Sequence, residues 1–223
     1  MWIKICGNTN LEDAQFAAEA GANAVGFVFA ESPRRVNIAQ VSQITPHLPS
    51  VVEKIGVFVD ASFEEIVRAA EESGLTGVQL HTNRDRLLPS RLRDYFGPAL
   101  HILQVVHYAP DFRQQLDVLR ENRSVDAVLI DSRTTKAVGG TGTTFDWDAA
   151  SRSFHDSANQ LRLIAAGGLS PENVAEAVRT LRPWGVDVVS GVESVPGRKD
   201  LDRVRAFIAV ARAVAEEVAT AQR

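Results

Sequence analysis

Residues 125–147, VDAVLIDSRTTKAVGGTGTTFDW, decide how the whole chain is read. The stretch opens on an apolar run, Val125 to Ile130, interrupted by Asp126 and closed by a second acid, Asp131. A run of that length bounded by polar residues is the pattern of a buried parallel strand. A polar loop follows and closes on Gly139-Gly140-Thr141-Gly142, after which Phe145-Asp146-Trp147 leads into a helical pattern that Asp146 is suited to cap. An acid at the C-terminal end of a strand, beside a glycine-rich loop, sits where α/β enzymes carry their chemistry.

The same unit recurs outward in both directions. Strand patterns fall at 2–6, 23–29, 54–59, 76–80, 100–106, 125–130, 161–166 and 186–189. Amphipathic helical patterns alternate with them at 11–20, 38–48, 62–73, 84–95, 111–122, 147–156, 171–182 and 199–218. Gly21, Gly74 and Gly97 follow three of these as helix stops. Spread over 223 residues, the units average about 28 residues each, the size of a minimal barrel repeat. Eight is the number that closes a barrel, and the turn after the first strand, Cys6-Gly7-Asn8-Thr9-Asn10, lacks the G-x-G-x-x-G of a dinucleotide fold. The expectation is α/β, a (β/α)8 TIM barrel forming one domain over residues 1–223, with no linker to divide it.

Composition narrows the function. Net charge −4 gives no reason to expect nucleic acid or an anionic membrane as partner. The single cysteine excludes an intrachain disulfide and a cysteine-rich metal site. His47, His101, His107 and His155 form no metal-ligand spacing and read as structural or surface residues. No run approaches the roughly 18 apolar residues of a membrane span, and MWIKICGN is not a signal peptide, so a cytoplasmic chain is expected.

A barrel puts its active-site groups at the C-terminal strand ends. Here those ends offer Cys6, Ser32-Pro33-Arg34-Arg35, Asp60, His81, Asp131, Gly167-Gly168 and Ser190-Gly191. The last two follow strands seven and eight, the common phosphate site, where Gly167-Gly168 and a short helix starting at Gly191 would offer backbone N–H groups to a phosphate. Taken singly, each has a plainer reading: Cys6 as a small buried residue, Asp131 as a cap, Arg34 as a surface ion-pair residue.

Taken together, the chain resembles the phosphoribosylanthranilate isomerase family of tryptophan biosynthesis. The resemblance rests on Lys4-Ile5-Cys6-Gly7, Gly26-Phe27-Val28-Phe29, Ser32-Pro33-Arg34, Gly56-Val57-Phe58-Val59 and Val78-Gln79-Leu80-His81. It continues through Asp131-Ser132, the 139–147 loop, Ala166-Gly167-Gly168-Leu169, Pro171-Glu172-Asn173-Val174, Gly185-Val186-Asp187-Val188, Ser190-Gly191-Val192-Glu193, Pro196-Gly197 and Lys199-Asp200. Departures are Thr82-Asn83 after His81, where a glycine is usual, and Val189 where a second serine is common. The resemblance implies an Amadori rearrangement of N-(5′-phosphoribosyl)anthranilate, with Asp131 as general acid, Cys6 as general base and no cofactor. It also implies Arg34 facing the anthranilate part, His81 and Asp187 near the sugar, and Gly140, Gly142, Gly167, Gly168, Ser190 and Gly191 on the phosphate side.

These roles make demands. A free thiol has a pKa of about 8.5 and a free aspartate about 3.9, so a base role needs a stabilised thiolate and an acid role a protonated carboxyl. The rival barrels fit less well. An indole-glycerol-phosphate synthase would want lysines at strand ends, whereas Lys4 and Lys54 lie inside strands. The histidine-pathway sugar isomerase would want aspartates where Cys6 and Val106 stand. A third reading, a barrel that binds a phosphorylated metabolite without turning it over, stays open; a phosphorylated small molecule is the expected partner, and the oligomeric state is left undetermined with a monomer favoured.

Overall fold

The computed structural model describes residues 1–81, 85–109, 111–131, 146–157 and 160–221. The strands are β1 (Trp2–Ile5), β2 (Ala24–Val28), β3 (Glu53–Val59), β4 (Gly77–His81), β5 (His101–His107), β6 (Ala127–Asp131), β7 (Leu163–Ala166) and β8 (Gly185–Val188). They pair in chain order, all parallel, and β1 returns to β8 to close the barrel, with Lys4 opposite Asp187. Between and after them run α1 (Leu11–Glu19), α2 (Ile38–Ile44), α3 (Phe63–Ser73), α4 (Leu88–Phe96), α5 (Phe112–Arg120), α6 (Trp147–Ser157), α7 (Val174–Leu181) and α8 (Leu201–Ala221).

Side chains alternate across each strand and sort into two apolar layers. The odd positions of β1, Ile3 and Ile5, join Val25, Phe27, Val78 and Ile130 in the layer under the helices. Trp2, Ala24, Ile55, Leu103, Leu129 and Ile164 fill the barrel itself. Continuing that alternation toward the C-terminal rim places Lys4, Cys6, Gln79, His81, His107, Asp131 and Asp187 on the inner face. Asp131, the acid that closes the apolar run of β6, therefore points into the barrel mouth.

Local chemistry explains the helix ends. Ser62 and Glu65 form a reciprocal capping box for α3, and Gly74 ends it at φ 62°, a left-handed conformation glycine adopts without a Cβ clash. Asp146 caps α6 as expected, its Oδ1 accepting from the Ala149 N–H at 2.9 Å. The expected helix at 38–48 stops at Ile44 and becomes a 3-10 turn over Thr45–His47, because Pro46 has no N–H to continue the ladder. After β8 the expected helix at Gly191 is a 3-10 turn over Ser190–Val192. A two-stranded hairpin follows, β9 (Glu193–Val195) and β10 (Arg198–Lys199). Lys199 belongs to that hairpin, so α8 begins only at Leu201.

The N-terminal end of the barrel is plugged by packing: Trp2 stacks on Trp184 with ring centroids 5.4 Å apart. The Trp2 indole N–H also donates to Glu53 at 3.1 Å. Among the described residues no helix is long and apolar enough to cross a membrane.

Candidate active site

Cys6 follows β1 and still continues the ladder, its N–H donating to the Val188 carbonyl at 2.9 Å. Its side chain is buried, 3% exposed. Two glycines make the room: a Cβ at residue 26 would collide with the Cys6 sulfur, and one at Gly7 would meet Arg34 Cδ at 2.8 Å. Gly7 also has φ 76°. The turn is fastened by Asn8, whose side-chain amide donates to the carbonyls of Ile5 (2.8 Å) and Gly26 (3.2 Å).

Beneath Cys6 runs a buried polar chain. Lys4 Nζ donates to Asp187 Oδ1 at 2.6 Å and to Gln79 Oε1 at 2.8 Å, and Gln79 Nε2 lies 2.9 Å from His81 Nε2. Burial works against the Lys4 charge, but the Asp187 carboxylate, aided by Cys6, holds the ammonium above its ordinary pKa. Burial pushes the Cys6 thiol up; Lys4 opposes this, Asp187 adds to it and Lys199 also favours the thiolate.

A second buried group stands beside the mouth. Arg34 gives Glu193 a two-nitrogen clasp, Nε to Oε1 at 2.8 Å and Nη2 to Oε2 at 2.6 Å. Lys199 Nζ donates to the Cys6 carbonyl at 2.6 Å and lies 3.3 Å from Glu193 Oε1. The hydrogen bonds to Glu193 raise the Arg34 pKa. Burial alone would raise Glu193, but Arg34 and Lys199 hold it below the usual carboxylate range. Burial lowers Lys199, only partly offset by Glu193.

Across the mouth, Asp131 ends β6 at 5% exposure, in register with His107 on one side and Ala166 on the other. The His107 and His81 rings lie 6.2 Å apart, and His107 Nδ1 is buried with no hydrogen-bond partner among the described residues. Gly167 and Gly168 turn the chain after β7 at φ 83° and 68°. Gly191 touches that turn so closely that a Cβ would strike the Leu169 carbonyl, which brings the loops after β7 and β8 together.

The structure thus gathers Cys6, Asp131, His81, Asp187, Gly167, Gly168, Ser190, Gly191 and Arg34 at one rim. Gly140 and Gly142, with Thr82 and Asn83, lie outside the described residues. Asp187 is committed to Lys4 and Arg34 to Glu193. His107, read from sequence as structural or surface, stands on the inner face beside Asp131. Sequence reasoning gave no role to Lys4, Gln79, Glu193 or Lys199. The one available signal was a lysine inside the apolar run of residues 2–6, two positions before Cys6 and hence on its face.

A closed parallel barrel with a buried thiol, a buried carboxyl and paired glycine turns at its C-terminal rim defines a (β/α)8-barrel enzyme. Residues 3–210 match the family model described as N-(5′-phosphoribosyl)anthranilate (PRA) isomerase, and the chain belongs to that family. It is 40% identical over 216 residues to N-(5′-phosphoribosyl)anthranilate isomerase of Pelobacter propionicus, covering 96% of this chain and 97% of that one. It is similar to the crystal structure of phosphoribosyl anthranilate isomerase from Thermotoga maritima, with TM-score 0.83, 36% identity and coverage of 96% and 99%. A further crystal structure, phosphoribosyl anthranilate isomerase in complex with reduced 1-(o-carboxyphenylamino)-1-deoxyribulose 5-phosphate, matches with TM-score 0.79 and 34% identity over 96% and 99%.

Proposed function

We propose that this chain catalyses the Amadori rearrangement of N-(5′-phosphoribosyl)anthranilate in tryptophan biosynthesis, with Asp131 as general acid and Cys6 as general base. The observation that carries the roles is that both groups stand on inner-face positions at the rim, on strands separated by β7 and β8 around the barrel. A substrate lying over the mouth meets both.

The chemistry follows from their positions. Asp131 gives a proton to the ring oxygen as the C1′–O bond breaks, leaving an iminium at C1′. Cys6 then takes the C2′ proton, and the resulting enolamine tautomerises to the ketone. Each positioned group contributes roughly 10²–10⁴-fold. The Lys4 and Lys199 ammonium groups favour the thiolate that burial disfavours. The turns at Gly167-Gly168 and Ser190-Gly191 receive the phosphate. Arg34 faces the anthranilate carboxylate, and His81 and Asp187 line the sugar. On this reading the chain works in the cytoplasm on a small phosphorylated substrate.

The test follows fluorescence on turnover of N-(5′-phosphoribosyl)anthranilate generated in situ, for wild type, Cys6→Ala and Asp131→Asn. Loss of turnover in both variants, with affinity for the reduced product analogue retained, is the expected result. An active Cys6→Ala or Asp131→Asn overturns the corresponding role.

A further inference from the structure

Arg34 cannot offer its whole guanidinium to a ligand. Its Nε and Nη2 are taken by Glu193, so only the Nη1 edge carries no hydrogen bond among the described residues. The clasp is deep: the Arg34 side chain is 13% exposed and that of Glu193 3%. Glu193 is itself fixed. It opens β9 and receives the Gly197 N–H at 3.3 Å, while Thr9 Oγ1 ties Gly197 back to the β1 loop at 2.6 Å. Lys199 closes the arrangement from the other side, joining Glu193 to the Cys6 carbonyl.

A guanidinium on a flexible stem loses rotamer freedom when it captures a carboxylate, and a fork held in advance loses less. The charges also fit. Arg34, Glu193 and Lys199 together carry one net positive charge beside Cys6, and the Lys4–Asp187 pair carries none. Neutralising Glu193 would leave two buried cations facing one another, and the guanidinium would turn outward to water.

We propose that Glu193 is a positioning residue for this reaction: it holds Arg34 so that the Nη1 edge meets the ring carboxylate of the substrate. The inference rests on the reading of Arg34 as the anthranilate contact, and the experiment separates the two. KM and kcat are measured for wild type, Glu193→Gln, Glu193→Asp and Arg34→Ala. Each enzyme is given the substrate and its analogue without the ring carboxylate, N-(5′-phosphoribosyl)aniline, and thermal unfolding is followed in parallel. Glu193→Gln is expected to raise KM for the carboxylated substrate about 10- to 100-fold. For the aniline it should leave KM within about twofold, with Glu193→Asp between wild type and Glu193→Gln on the carboxylated substrate. Equal penalties on both substrates, or none, overturn the role of Glu193. If in that event Arg34→Ala raises KM for the carboxylated substrate and spares the aniline, the Arg34 reading survives alone. If Arg34→Ala penalises both substrates equally, or neither, that reading falls and the proposal falls with it.

Discussion

Lys4 and Asp187 face each other across the closing seam of the barrel, paired in register on β1 and β8 and joined at 2.6 Å with their side chains 0% and 6% exposed. A buried pair of this kind is weak evidence for stability when intact but costly when one partner is removed. Lys4→Met should destabilise the chain by about 3–5 kcal/mol, because it leaves a carboxylate uncompensated in the barrel. Lys4→Met combined with Asp187→Leu should recover most of that loss. Denaturant unfolding checks both, and a double variant no more stable than the single one would show that the pair is not the source of the penalty.

Gly26 and Cys6 are coupled by contact rather than charge. A methyl at residue 26 would occupy the sulfur's place, with Cys6 Cα only 3.1 Å away, so the side chain must turn out of its site. Gly26→Ala should cost roughly 1–3 kcal/mol as an overpacked position. If Cys6 is the base, as proposed, Gly26→Ala should also lower kcat at least about tenfold through the misplaced thiol. Thiol modification gives an independent reading: Cys6 is 3% exposed and should react slowly in wild type and faster in Gly26→Ala. Unchanged thiol reactivity would mean that the barrel yields elsewhere.

What the sequence revealed and what it concealed divide along a physical line. Strands buried on both faces announce themselves as apolar runs, and β6 with its terminal Asp131 was legible for that reason. The hairpin of β9 and β10 was not, since its polar residues are held by contacts distant in sequence. Thr9 reaches Gly197 across 188 residues and Lys199 reaches Cys6 across 193. The thiol and acid proposed to react could be named from strand ends. The groups that set their environment could not, because Lys4 finds Asp187 183 residues away and only barrel closure brings them together.

Arg93 marks the opposite end of the barrel and should behave oppositely. From α4 its Nη1 donates to the Gly97 carbonyl at 2.7 Å and the Leu100 carbonyl at 3.0 Å, and its Nη2 bonds Asp126, which in turn accepts from the Ile102 N–H at 2.7 Å. These contacts tie the segments leading into β5 and β6, far from the rim. Function at the C-terminal end and stability at the N-terminal end is the division expected of this fold. Arg93→Ala should lose about 2 kcal/mol of stability through broken charge-assisted hydrogen bonds. Its kcat and KM should stay within about twofold of wild type at a temperature where both are folded. A kcat loss in folded Arg93→Ala would show that the two ends are coupled.

The Cys6 thiol gives the sharpest pH prediction because burial, its largest influence, raises its pKa despite Lys4 and Lys199. The free enzyme therefore holds mostly thiol at neutral pH, and kcat/KM, which reports free-enzyme ionisations, should rise with pH through and above the ordinary thiol value of about 8.5. Stability should run the other way. A group whose folded pKa is raised contributes stability that is fully present below its unfolded pKa and is lost as pH rises through the folded one. Measured against Cys6→Ala, wild type should thus lose relative stability above about pH 8.5 while its kcat/KM climbs over the same range. Parallel thermal melts and initial rates at stepped pH decide it. A kcat/KM flat from pH 7 to 10 would remove Cys6 as the titrating base, and a stability difference from Cys6→Ala that does not change with pH would mean its ionisation is not shifted by folding.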